Sequence, residues 1–178
     1  ASGKMYEYAY QVVNKYRKRR KMPKQKVKQY LGRVYRFEKR KNQVIETIET
    51  EKTTIKKNMI LLLENELKNY GFEEKEGCWQ QQLYMINLEQ NICMDQQGRN
   101  CCIAINDGLL HTTTIRALTT FKPKEGLEKE IGEQLGKALI SAGIRPKEAV
   151  FINLFRQIMR QLNNEQQYQT MTGNNEQQ

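Results

Sequence analysis

Residues Tyr6 to Lys41 read YEYAYQVVNKYRKRRKMPKQKVKQYLGRVYRFEKRK. Tyr6, Tyr8, Tyr10 and Val12 alternate with Glu7, Ala9, Gln11 and Val13, the period of two that a strand requires. Lys24, Lys26, Lys28 and Tyr30 alternate with Gln25, Val27, Gln29 and Leu31 in the same way, which predicts a second strand. Arg17 to Pro23 lies between them. It is too charged to pack, and Pro23 cannot extend a central ladder, so the segment reads as a solvated hairpin tip. Gly32 is expected to mark a bend or bulge that turns the chain into a third short strand, Arg33 to Phe37. On this reading one face of the ribbon carries lysines and tyrosines together and the other carries small or apolar groups.

The charge of the stretch is local. Between Asn14 and Lys41 there are 14 cations and one acid, Glu38, a net +13 in a chain whose total is +10, so everything else sums to −3. Cations release phosphate counterions and aromatic rings offer stacking area, so this density beside Tyr16, Tyr30, Tyr35 and Phe37 predicts a polyanion-binding surface. The candidate nucleic-acid-binding residues are Lys15, Arg17, Lys18, Arg19, Arg20, Lys21, Lys24, Lys26, Lys28, Tyr30, Arg33, Tyr35 and Arg36. A two-stranded ribbon can enter a major groove while its basic tip holds phosphates. The competing reading is a hairpin whose charges merely face water.

The tyrosine-rich strand, the basic turn and the run QKVKQYLGRV, Gln25 to Val34, together resemble the short N-terminal region of DDE-type insertion-sequence transposases. The likeness covers about 30 of 178 residues. It implies a shared type of DNA-contacting module. The acidic catalytic domain of that family has no counterpart, since the chain has two aspartates, Asp95 and Asp107, and two-metal strand transfer needs more.

Downstream, Asn42 to Thr54 reads as a linker or a fraying helix start. Ile55, Met59, Leu62, Leu63, Leu67 and Tyr70 fall at helical spacing, with Thr53 or Thr54 as cap and Gly71 as stop. Cys78 to Leu88 is predicted as a strand. Asn91 to Met94 and Asn100 to Asn106 are predicted to pair about the loop Asp95 to Arg99, giving a small central antiparallel sheet of three strands. Thr112 or Thr113 can cap a short helix through Phe121. Leu127, Ile131, Leu135, Ala138 and Leu139 mark a helix stopped by Gly143, and Pro146 opens another with the stripe Val150, Phe151, Leu154, Phe155, Ile158 and Leu162.

The expected fold is therefore α+β: a basic N-terminal antiparallel hairpin or small sheet, a connecting helix, a central antiparallel sheet and a C-terminal helical hairpin. Three parts are expected: 5–41 as the nucleic-acid-binding module, 42–162 as an α+β scaffold, and 163–178 as a disordered Gln/Asn-rich tail. Gly132 and Gly136 share a helix face and would admit a close neighbour. A helix-turn-helix reading would give Lys147, Arg156 and Arg160 the DNA contacts, but the five glutamates of this unit oppose it. The helical hairpin is the expected surface for homo-oligomers.

Cys78, Cys93, Cys101 and Cys102 lack paired zinc-ligand spacing and read as reduced, packed thiols, with a zinc site on Cys78, Cys93, one of the pair and His111 as the alternative. Two serines and one histidine leave few parts for a nucleophilic triad, although His111 with Cys101 or Cys102 is a conceivable pair. No phosphate-binding glycine loop occurs. Ala1 to Lys4 read as an appended leader before a native Met5, and the absence of any long apolar run predicts a soluble, cytoplasmic protein. The sequence thus points to a non-catalytic nucleic-acid-binding protein without cofactors and without a membrane partner. Double-stranded DNA is preferred over RNA. Structured or ribosomal RNA is the first alternative. A structural or assembly role for the hairpin is the second.

Overall fold

A computed structural model describes residues 3–15 and 24–173, with the backbone alone at 14, 15 and 24. Strand β1, Glu7–Lys15, pairs antiparallel with β2, Lys24–Arg36. The expected third strand is not separate. Its residues continue β2, which passes Gly32 at φ +127° without ending. A Cβ on Gly32 would lie 2.7 Å from the Asn100 carbonyl oxygen, so the residue serves a close backbone approach as well as a bend.

After β2 the chain runs without regular structure to Thr54. It is not a free linker. The buried side chain of Asn69 accepts from the Gln43 amide at 3.1 Å and donates to the Gln43 carbonyl at 2.9 Å, while the Arg40 amide donates to the Asn69 carbonyl. Helix α1, Ile55–Asn69, is capped by Thr54, whose hydroxyl accepts from the Lys57 amide, and ends where Gly71 takes φ +83°. Its stripe of Met59, Leu62, Leu63 and Leu67 is buried as the spacing requires.

The middle of the chain departs from the expected three strands. Strands β3, Glu73–Lys75, β4, Cys78–Gln81, β5, Tyr84–Asn87, and β6, Ile92–Met94, form a four-stranded antiparallel sheet in sequence order. The single strand predicted over Cys78 to Leu88 breaks because Gln82 adopts φ +54°, turning β4 back on β5. Strand β7, Cys101–Ile105, does not pair with β6 beyond one bridge, Met94 to Asn100. It enters a second sheet, ordered β1-β2-β7-β8, parallel to β2 and antiparallel to β8, Gly108–Leu110. All five residues of β7 are buried, as expected of a strand covered on both faces rather than one.

Helix α2, Thr112–Thr119, follows β8 directly, then α3, Glu128–Ser141, and α4, Glu148–Gly173. The tail expected to be disordered continues α4 as far as Gly173. The sequence there lacks an apolar stripe, and its exposed side chains show why the pattern was silent: this part of the helix leaves the body. Gly143, at φ +80°, ends α3 with its backbone against the β7–β8 turn, where the Asn106 amide nitrogen Nδ2 donates to its carbonyl at 2.7 Å. Leu135 and Leu139 of α3, Leu154 and Ile158 of α4, and Ile103, Ile105 and Leu110 of the sheet share one apolar core with α1. Gly132 faces the Phe155 ring of α4, whereas Gly136 meets open space. Among the described residues no helix is long and apolar enough to cross a membrane.

Candidate nucleic-acid interface

The body holds only the root of the hairpin. Arg33 to Arg36 of β2 pair with β7, while the remainder of β2 has β1 as its one neighbour. From Tyr10 to Lys15, opposite Lys24 to Tyr30, the chain is therefore a two-stranded arm, and six residues of extended strand give it about 20 Å of reach. Tyr10, Val12 and Val13 of β1, and every residue from Gln25 to Tyr30 of β2, are exposed.

Pairing register decides what each face of the arm carries, because residues opposite one another in an antiparallel ladder point to the same side. Two register shifts, between Ala9 and Tyr10 and between Gln11 and Val12, leave Leu31 and Lys28 as extra residues in β2. Tyr8 consequently faces Arg33, Tyr10 faces Tyr30, and Val12 faces Val27, whereas Val13 faces Lys26 on the opposite side. The face expected to hold lysines and tyrosines together is thus divided. Strict alternation carries Tyr30 and Lys26 to one side, and the bulge at Lys28 reverses that.

On the aromatic side Tyr30 lies 5.2 Å from Tyr10 and 6.3 Å from Tyr8, ring centre to ring centre, and all three are about half exposed. Nearer the body, the Arg33 guanidinium sits 3.8 Å from the Tyr6 ring centre and 5.0 Å from that of Tyr35. The Tyr35 ring lies tilted against that of Tyr84, 4.7 Å centre to centre, and its hydroxyl donates to Asp95 Oδ2 at 3.2 Å. Burial and then the Asp95 carboxylate raise its pKa. Arg36 closes the root with a two-pronged pair to Glu7, at 2.6 and 3.1 Å. Of the candidate residues, Arg33, Tyr35 and Arg36 are thus committed to the root. Lys26 and Lys28 stand in solvent and join no ion pair among the described residues. Lys15 and Lys24 form the last pair of the ladder, and Arg17, Lys18, Arg19, Arg20 and Lys21 lie outside the described residues.

Elsewhere a minority of the cations are engaged within the chain. Lys147 pairs with Glu46 at 2.6 Å, Arg145 pairs with Asp107, and Arg160 donates to Thr50 Oγ1 at 3.0 Å. Two of the three contacts that a helix-turn-helix reading would need are therefore occupied inside the protein. Sequence reasoning missed the loop Asp95 to Arg99 as an anchor. Asp95 is buried, and Oδ1 accepts from the amides of Gln97 and Arg99 while Oδ2 takes the Arg99 guanidinium at 3.1 Å. The signal was an aspartate two residues before a Gln-Gly turn.

The thiols form no site with His111. Cys93 and Cys101 lie with their sulfurs 3.7 Å apart in the core, Cys102 donates to the Leu31 carbonyl, and Cys78 is half-buried. The contact with Cys101, then burial, holds the Cys93 thiol well above its ordinary pKa; burial pushes Cys102 up to about 12. Among the described residues no three His, Cys, Asp or Glu side chains converge as a metal site requires. Compared with protein-family models, with curated proteins and with solved structures, the chain matches none.

Proposed function

We propose that the chain is a non-catalytic nucleic-acid-binding protein of the cytoplasm that grips the phosphate backbone of double-stranded DNA with the β1–β2 arm, the remainder acting as scaffold. One observation carries the reading: the arm extends past β7 with solvent on both faces, while the densest basic segment of the chain, Arg17 to Lys21, joins its two strands. A strand pair with no body beneath it contributes little to the core. Its length and charge are accounted for by a ligand that it can reach into, and a ribbon of this width fits a major groove. The transposase-like run Gln25 to Val34 falls on β2 and is compatible with a DNA-contacting module of that type.

The division of the faces supports a second reading, structured RNA. Tyr8, Tyr10 and Tyr30 form an exposed aromatic strip on the face opposite Lys26, and unpaired bases stack on such strips. The projecting end of α4, where Tyr168 and Met171 are exposed, supports self-association through the C-terminal helices. Fluorescence anisotropy against a duplex, its single strands and a structured RNA of equal length separates the readings. The duplex is expected to bind best, with Arg17, Arg19, Arg20 and Lys21 replaced by Ala weakening all sequences alike. Unchanged affinity in that variant contradicts the proposal, and a monodisperse oligomer that ignores all three ligands supports assembly instead.

A further inference from the structure

A cleft of about 550 Å³ opens where the arm meets the body. Tyr30, Leu31 and Gly32 of β2 line one side, and His111 and Thr113 at the start of α2 line the other together with Arg116 from its last turn and Arg99. Among the described residues no carboxylate lines it. Arg99 is neutralised by Asp95, but Arg116 is exposed and joins no ion pair among the described residues.

The decisive group is His111. It is 7% exposed, yet it belongs to the cleft wall. Its ring is held at Nδ1, which accepts the Thr113 amide at 3.1 Å, while its backbone amide donates to Thr114 Oγ1 at 3.1 Å. Its Nε2 has no protein partner among the described residues, and Gln81 Oε1 is the one side-chain polar atom there that is both sealed and unpartnered. Nε2 therefore opens onto the cleft. Burial lowers the pKa of the ring, which is neutral at pH 7, and an Nδ1 that accepts fixes the proton on Nε2. The cleft thus presents a fixed N–H donor, an uncompensated guanidinium and the positive end of an eight-residue helix, three features that favour an oxyanion.

We infer that this cleft is a phosphate-binding site built from Arg116, His111 Nε2 and the first turn of α2, and that it takes a phosphate of the nucleic acid held on the arm. The source of that phosphate rests on the function proposed above; the site itself does not. Bound there, a phosphate would lie against the arm's root and set how far a strand can slide along it.

The test titrates inorganic phosphate into the intact chain while amide and imidazole nitrogen resonances are followed. Saturable shifts are expected at Thr112, Thr113 and His111 Nε2. Arg116→Ala, at an exposed position, is expected to weaken them about tenfold or more. His111→Asp keeps an acceptor for the Thr113 amide and should abolish them, whereas Lys26→Glu with Lys28→Glu leaves them unchanged. Titration with 5′-phosphorylated and unphosphorylated duplexes then separates a terminal phosphate from the internal backbone as the source. Absence of saturable shifts at α2, or an equal response in Arg116→Ala, overturns the site. Phosphate capture by a chain that ignores both duplexes upholds the site and removes only the arm's part in it.

Discussion

Replacing Lys26 and Lys28 by Ala tests the arm where its side chains are described. Both are exposed, neither has an acidic partner among the described residues, and their segment pairs with β1 and not with β7, so the fold has little to lose. Surface substitutions of this kind shift stability by about 0.5 kcal/mol or less. Binding is a different matter. Each phosphate contact adds about 0.9 to the slope of log affinity against log salt, so two lost contacts flatten it by about 1.8. Between 50 and 200 mM salt, a fourfold change, the double variant should therefore lose about tenfold less affinity than the parent, whatever the total number of contacts. Anisotropy of a labelled duplex over that range gives both slopes from one titration series. Paired with it, Tyr10→Ala and Tyr30→Ala should leave the slope intact, because their rings carry no charge and release no counterions. An unchanged slope in the lysine variant, alongside an unchanged melting temperature, refutes the assignment of these cations to phosphate.

Other expectations concern the frame that holds the arm. Gly32→Ala places a Cβ 2.7 Å from the Asn100 carbonyl at a φ of +127°, and should cost about 1–3 kcal/mol in a urea midpoint. Asp95→Asn loses the charged acceptor of Arg99 and Tyr35 and should cost about 1–3 kcal/mol at pH 7. Burial opposes ionisation of Asp95, but the Arg99 and Gln97 amides and the Arg99 guanidinium outweigh it, leaving the pKa below the ordinary carboxylate range. That contribution is present above about pH 4 and lost as pH falls through the lowered value, so Asp95→Asn should narrow the difference between urea curves at pH 7 and pH 3. Of the four thiols, Cys78 should react with an aromatic disulfide reagent in the native chain, while Cys93, Cys101 and Cys102 wait for denaturant.

The hairpin and all four helices were legible because each is written in local terms. Alternation marks β1 and β2, and the Thr54 cap with Gly71 brackets α1. What the sequence hid depends on pairing between distant residues. Nothing near Cys101 says that its strand runs parallel to β2 rather than back along β6, although the unbroken apolar run CCIAI is the mark of a strand buried on both faces. Of the two bulges, the one at Leu31 was flagged by the neighbouring Gly32, and the one at Lys28 was silent. The second adds Lys28 to β2 with no glycine beside it, and it alone separates Tyr30 from Lys26. The α2 cleft escaped because Thr112 or Thr113 read as the cap of α2, whereas His111 holds that place; its second nitrogen acquires meaning only when β2 forms the opposite wall.

The central claim is that the arm holds phosphates, and the most direct measurement is the affinity of the unmodified chain for a short labelled duplex from 50 to 200 mM salt. With six or more contacts the account predicts a straight log–log line along which affinity falls by about a thousandfold or more. A flat line, or no binding at the lowest salt, contradicts it.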